Sequence, residues 1–213
     1  AVNSEDDSDG YIVRTSDGNY RAKNVVVAAG TFQEPNIPAY SRKIIENVMQ
    51  IHSSKYKNPS QLPPGAVLVV GSGQSGCQIA EELNESGREV YLSTSRNRRM
   101  PRRYRGKDTM SWIFKTGIAE QTVEDLDSPE DRFAPNPHVS GKNGGHTINL
   151  HQFYRDGIHL LGHMQNANST QVRFEPDLMQ NLEAADAFAA EFKKGVDKLI
   201  DEQGLDAPED DEP

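Results

Sequence analysis

Cysteine is almost absent from this chain: 213 residues contain one, Cys77. A single thiol cannot close an internal disulphide, form a C-x-x-C redox pair or build a cysteine-rich zinc site. Long apolar runs are also missing, and none approaches the roughly eighteen residues of a membrane-spanning helix. The opening residues "AVNSEDDSD" are acidic and carry no signal-peptide pattern, so a cytoplasmic setting is the expectation. Positive charge is in deficit, with 23 Lys and Arg against 32 Asp and Glu and a net charge of −9. That balance speaks against non-specific binding to nucleic acid or to an anionic membrane surface.

What is present reads as an α/β chain. Tyr11–Val13 and Tyr20–Val27 have the composition of strands, with Ser16-Asp17-Gly18-Asn19 as the turn between them. Val25-Val26-Val27 is apolar without alternation, the pattern of a strand buried on both faces. Between residues 31 and 64 five prolines, at 35, 38, 59, 63 and 64, mark a connection with little regular structure. Residues 108–170 are rich in Gly, Asn, Pro and His and read as a long irregular insertion. Leu182, Ala185, Phe188, Phe192, Val196, Leu199 and Ile200 then recur at intervals of three and four, which predicts a core-facing helix closed by Gly204. The tail "DAPEDDEP" is acidic and expected to be mobile.

The stretch "VLVVGSGQSGCQIAEEL", from Val67, carries the chemistry. Four apolar residues lead into G-x-G-x-x-G, a helix is expected from Ser75 or Gly76, and Gly87 precedes a second strand at Val90. In that context the three glycines have separate roles. Gly71 permits a tight turn, Gly73 lets backbone approach a pyrophosphate, and Gly76 lets helix and strand pack closely. Ser72, Gln74 and Ser75 complete the loop. The first helical amides and the helix dipole favour the phosphate charge. The competing reading is a turn with no ligand.

Acid is missing where its absence matters most. An NAD site places an Asp or Glu about twenty residues past the glycines, to hold the ribose hydroxyls. Here "LSTSRNRRMPRRYRGK" (92–107) has none, and offers Arg96, Arg98, Arg99, Arg102, Arg103, Arg105 and Lys107 instead. A guanidinium binds a 2′-phosphate through paired hydrogen bonds, whereas a carboxylate repels it. NADPH is therefore expected over NADH. Arg96 is the leading candidate by position, with Arg103 beside it, and Ser93, Thr94 and Ser95 are candidate hydroxyl donors. Some of these arginines are expected to form only a solvated basic face.

Other residues point to little chemistry. His159 and His163 stand four apart, but a metal site needs three or four ligands and none converge here. His146 and His151 read as loop or interface residues, Asn143-Gly144-Gly145 as a turn, and Cys77 as a small buried residue packing on the nucleotide helix. Trp112 and Phe114 are candidates for a substrate channel or for core. No side chain is assigned a catalytic role.

Taken together, several stretches resemble the flavin-containing monooxygenases, and more narrowly the bacterial FAD- and NADPH-dependent oxidoreductases similar to them. "VVVAAG" (25–30) resembles the family's ATG stretch, with Ala29 where Thr is commoner. "IHSSKYKNP" (51–59) resembles the link between flavin and nicotinamide domains. "GSGQSGCQIAEEL" (71–83) resembles the NADPH loop, and "PRRYRGKD" (101–108) and "GGHTINLHQFYRDGIHLLGHM" (144–164) resemble blocks of the bacterial subgroup.

The resemblance implies a Rossmann-like FAD/NAD(P)-binding fold and two cofactors, NADPH and FAD, with Ala29, Gly30 and His52 bordering the flavin. It also implies molecular oxygen and a small-molecule substrate: NADPH reduces the flavin, and reduced flavin with oxygen oxygenates the substrate. The corresponding division is 1–64 as flavin-domain remnant and linker, 65–170 as NADPH domain with insertion, 171–204 as a C-terminal segment, and 205–213 as tail. The start at Ala1 and the lack of an earlier G-x-G-x-x-G make an internal piece of a longer protein the expectation, possible as a homo-oligomer. Two rivals stand beside this reading. A pyridine nucleotide–disulphide oxidoreductase working through a cysteine pair needs more than one cysteine, and a nucleotide-sensing regulatory module would bind without turnover.

Overall fold

The computed structural model of the protein describes residues 2–4, 10–28, 34–126, 128–130 and 137–209. These fall into two compact units, Ala1–Asn36 and Ile37–Pro213. In the first, β1 (Val2–Ser4), β2 (Tyr11–Arg14) and β3 (Asn19–Ala22) form an antiparallel sheet in that order. The expected turn closes β2 onto β3: the amide and the hydroxyl of Thr15 both donate to the Gly18 carbonyl, each at 2.9 Å.

The strand expected to run on to Val27 stops at Ala22. Val25 to Val27 belong to no strand, and Val26 and Val27 are 86 % and 84 % exposed. A β-branched run has the propensity for a buried strand, but a strand needs a ladder partner beside it and packed layers on its faces. No strand among the described residues pairs with it.

The proline-bearing stretch of the second unit holds only short 3-10 turns at Ala39–Lys43, Ser53–Lys55 and Pro59–Gln61. The regular part starts with β4 (Val67–Val70), α1 (Gln74–Glu85) and β5 (Val90–Ser93), the βαβ unit expected from the sequence. Helix α1 ends in a Schellman turn. Gly87, at φ +81°, donates to Asn84, and Arg88 donates to Leu83 at 3.1 Å, so the last carbonyls are satisfied. Alternate residues of β4 face α1: Val67 and Val69 pack on the core while Leu68 and Val70 are exposed.

Short strands β6 (Arg98–Arg99), β7 (Arg103–Tyr104) and β8 (Lys107–Asp108) follow, then α2 (Thr109–Lys115), β9 (Pro137–His138) and α3 (Leu150–Arg155). Next come β10 (His159–Leu161), the hairpin β11 (Met164–Ala167) and β12 (Val172–Phe174), and the long helix α4 (Leu178–Gln203). Strand β10 pairs parallel with β5, giving a sheet of order β10-β5-β4 with every strand parallel. The stretch read as irregular thus contains the third strand of the central sheet. Its signal was Ile158, Leu160 and Leu161 between Gly157 and Gly162, too short to stand out by periodicity.

The predicted amphipathic helix is α4, and its apolar face joins two cores. Leu182 packs with Cys77, Ala80, Leu83 and Phe153 beside the sheet. Phe192, Val196 and Ile200 pack with Met100, Tyr104 and Trp112. Trp112 is fully buried and donates its indole N–H to the Tyr104 carbonyl at 2.7 Å, whereas Phe114 is 64 % exposed. Of the two channel candidates, Trp112 is therefore core. The tail residues 210–213 lie outside the described residues.

His138 sits where β9 meets β6, in register with Arg99. It is 5 % exposed, and its ring has no hydrogen-bond partner among the described residues. The ring lines a cavity of about 10 Å³ with Asn97, Arg99, His151 and Asp186, about the size of one water. Asp186, on α4, pairs with both Arg99 (3.0 Å) and His151 (2.9 Å). Burial holds the His138 pKa below its ordinary value of 6.5. The unfolded chain therefore takes up this proton first as pH falls, so the contribution of His138 is intact above pH 6.5 and is lost below it. Urea unfolding between pH 7.5 and 5.5 should show the wild type losing more stability than His138→Gln; equal losses would contradict this assignment.

Candidate nucleotide-binding site

The glycine loop lies at the carboxyl end of β4, where open parallel sheets bind their ligands. Gly71 has φ +103°, a left-handed conformation unfavourable to side chains, and its amide donates to the Ser93 carbonyl at 3.0 Å. Helix α1 begins at Gln74, ahead of the Ser75 or Gly76 expected from the sequence, with Gly73 as its N-cap and no side-chain cap. The amides of its first turn therefore have no intrahelical acceptor. No acidic residue stands in that turn to compete with an anion.

The glycines divide their work. A Cβ on Gly76 would lie 1.9 Å from the Gly71 carbonyl oxygen and 3.7 Å from a Val69 methyl, so helix and strand are in contact there. A Cβ on Gly73 would meet nothing within 4 Å, and its φ of −68° suits any residue. Gly76 is thus required by packing inside the protein. Gly73 faces open space, where only a ligand would make a side chain costly.

Ser72 is 1 % exposed, and its Oγ accepts a hydrogen bond from the Ser95 amide at 3.1 Å. Loop and basic segment are in this way brought side by side. Ser93 and Thr94 are 2 % and 0 % exposed, which corrects their expected role as phosphate donors. The Ser93 hydroxyl donates to Gly162 and accepts from the Met164 amide, and that of Thr94 donates to Leu161. Both tie β5 to the β10 side of the sheet. Ser95 alone of the three is within reach of solvent.

The basic segment sorts itself by partner. Arg99 pairs with Asp186 at 3.0 Å, Arg102 with Asp108 at 2.9 Å and Arg105 with Asp197 at 3.7 Å. Arg98 stacks over Phe188 and Lys107 over Trp112. Arg96 and Arg103 are exposed, and neither side chain has a partner among the described residues. Arg96 follows Ser95 directly and so lies beside the loop. Arg103 is on β7, and no hydrogen bond or ion pair joins it to the loop.

The remaining candidates are dispersed. His52 caps the turn Ser53–Lys55, its Nδ1 accepting from the Ser54 amide at 3.2 Å. Ala29 and Gly30 lie outside the described residues. Cys77 is fully buried, and burial with the nearby Glu81 pushes its thiol up to about 12, so it stays protonated. Among the described residues no group of three or more His, Cys, Asp and Glu could hold a metal ion. His159 stacks on Tyr91 with ring centroids 4.6 Å apart, and His146 lies 2.8 Å from Glu81.

Residues 1–129 match the family described as pyridine nucleotide-disulphide oxidoreductase. The chain belongs to that family. The family had stood as a rival because a redox pair needs two cysteines. The match corrects that separation: membership goes with the Rossmann-like nucleotide fold, while the chain's one thiol is buried and inert.

Among curated proteins the chain is 49 % identical over 109 residues to the "Uncharacterized oxidoreductase CzcO-like" of Geobacillus kaustophilus, covering 51 % of this chain and 31 % of that protein. It is 43 % identical to the "Uncharacterized oxidoreductase CzcO" of Bacillus subtilis over the same shares. To flavin-containing monooxygenase 5 of Rattus norvegicus it is 36 % identical over 74 residues, 34 % of this chain and 14 % of that one. The matched stretch therefore spans less than a third of these relatives.

The division of labour between the glycines is testable. Gly76→Ala should lower the unfolding free energy by about 1–3 kcal/mol, because the added methyl overlaps backbone that cannot swing away. Gly73→Val should lose about 1 kcal/mol at most, as an N-cap change, yet weaken dinucleotide binding more than tenfold. Urea unfolding and calorimetric titration read the two effects separately. A Gly73→Val protein with unchanged affinity would reduce the loop to a turn.

Proposed function

We propose that this chain is the NADPH-binding part of a flavin-dependent oxidoreductase of the monooxygenase type. The observation that carries the reading is Arg96, exposed and without a partner among the described residues, next to Ser95, whose amide is bound to the glycine loop. A cation so placed suits a phosphate on the ribose while the pyrophosphate lies over Gly73 and the α1 N-terminus. The similarity to an oxidoreductase and to a flavin-containing monooxygenase supports the same reading.

The residues fit NADPH, which when bound supplies a hydride. The chain's own part is to hold the dinucleotide: first-turn amides toward the pyrophosphate, Gly73 open to its approach, and Arg96 toward the 2′-phosphate. Arg103 is a secondary candidate for that phosphate. For FAD the fit is absent among the described residues, because β4–α1 supplies the one glycine cradle and the His52 ring is engaged with Ser54. On this reading the flavin is held by sequence beyond these residues, in a protein of the relatives' length. Molecular oxygen and a small organic molecule are the proposed co-substrates, and the cytoplasm the proposed setting.

Arg96→Ala should weaken NADPH binding at least tenfold, about 1.4 kcal/mol, and change NADH binding less than twofold. Calorimetric titration of both nucleotides decides it. Equal losses for NADPH and NADH would remove the 2′-phosphate from the role assigned to Arg96.

A further inference from the structure

We propose that Ser72 is a positioning residue that sets the preference for the phosphorylated ribose, by fixing the backbone from which Arg96 projects. The inference rests on the NADPH reading above and adds a residue to it. Ser72 is 1 % exposed, so its hydroxyl is turned into the protein rather than toward a ligand. There it brackets one residue of the segment that follows β5. Its Oγ accepts from the Ser95 amide at 3.1 Å and lies 3.5 Å from the Ser95 carbonyl oxygen, to which it can donate. The buried Asn97 donates its side-chain amide to that same carbonyl at 3.4 Å.

Both backbone polar groups of Ser95 are thus held, and the next side chain is Arg96, exposed and without a partner among the described residues. An arginine carries about 2 kcal/mol of rotamer entropy, so its reach toward a phosphate depends on where its Cα is fixed. The neighbouring ties do not serve this purpose. Ser93 and Thr94 bind Leu161, Gly162 and Met164 on the β10 side, and the Gly71 amide binds Ser93. Among the described residues, only Ser72 joins the loop to the residue adjoining Arg96. The Ser72 carbonyl is itself anchored, 3.4 Å from the Cys77 thiol on the first turns of α1. The spacing between the two phosphate sites is then set by one hydroxyl.

Ser72→Ala removes the bracket while leaving the glycines and Arg96 in place. In calorimetric titrations of the purified protein it should weaken NADPH binding about tenfold and NADH binding less than twofold. The Ser72→Ala/Arg96→Ala double variant should be no weaker for NADPH than Arg96→Ala alone, because both changes remove the same contact. Ser72→Thr, which keeps the oxygen, should retain the preference. An equal loss for both nucleotides, or additive losses in the double variant, would overturn the positioning role. A wild type with no NADPH preference would instead overturn the NADPH reading and this inference with it. Independently of any variant, the Ser95 amide of the wild type should be protected from hydrogen exchange; exchange at the rate of a free peptide would refute the bracket.

Discussion

Helix α1 approaches the end of β4 so closely that one methyl group on Gly76 would overlap the carbonyl oxygen of Gly71. That contact fixes where the helix starts and hence where its first amides point. Gly71 can turn the chain there because it adopts φ +103°, and its amide is in turn bound to Ser93 at the end of β5. The carboxyl edge of the sheet is then held strand to strand by buried hydroxyls, Ser72 to Ser95 and Ser93 and Thr94 to the β10 side. An uncapped helix N-terminus with open space at Gly73 follows from this packing before any ligand is considered.

The same economy of contacts explains the basic segment. Seven cations follow one another without an acid between residues 92 and 107, which would be a strongly repulsive surface if all stood free. Asp108, Asp186 and Asp197 pair with three of them, two from the length of α4. Phe188 and Trp112 accept two more against their rings. The long helix thus does more than fill the core, because its Asp186 and Asp197 pair with two of the arginines that would otherwise compete for an anion. Arg96, nearest the glycine loop, is left exposed.

The βαβ unit was legible in the sequence because three local signals coincide there: an apolar run, glycines at fixed spacing and a helical period ending at Gly87. Helix α4 was legible from its seven-residue apolar stripe. Strand β10 was not, since three residues carry too little periodicity, and its place beside β5 is set by pairing across more than sixty residues. Val25 to Val27 failed in the opposite direction: their propensity is real, but the pairing that would make a strand of them is not among the described residues. At the site, position just past the second strand pointed to Arg96, whereas composition could not reveal that Ser93 and Thr94 turn inward. Whether a hydroxyl faces a ligand or a carbonyl depends on burial, which a run of small polar residues does not encode. Ser72 was noticed as a loop residue, and its link to Ser95 required the fold.

The central claim is that these residues build one dinucleotide site and that it takes NADPH. Equilibrium dialysis of the purified protein against a mixture of NADPH and FAD, both well above micromolar, measures it directly. One NADPH and no FAD bound per chain is the result the account predicts. A protein that retains stoichiometric FAD, or that binds neither nucleotide while folded, would contradict it.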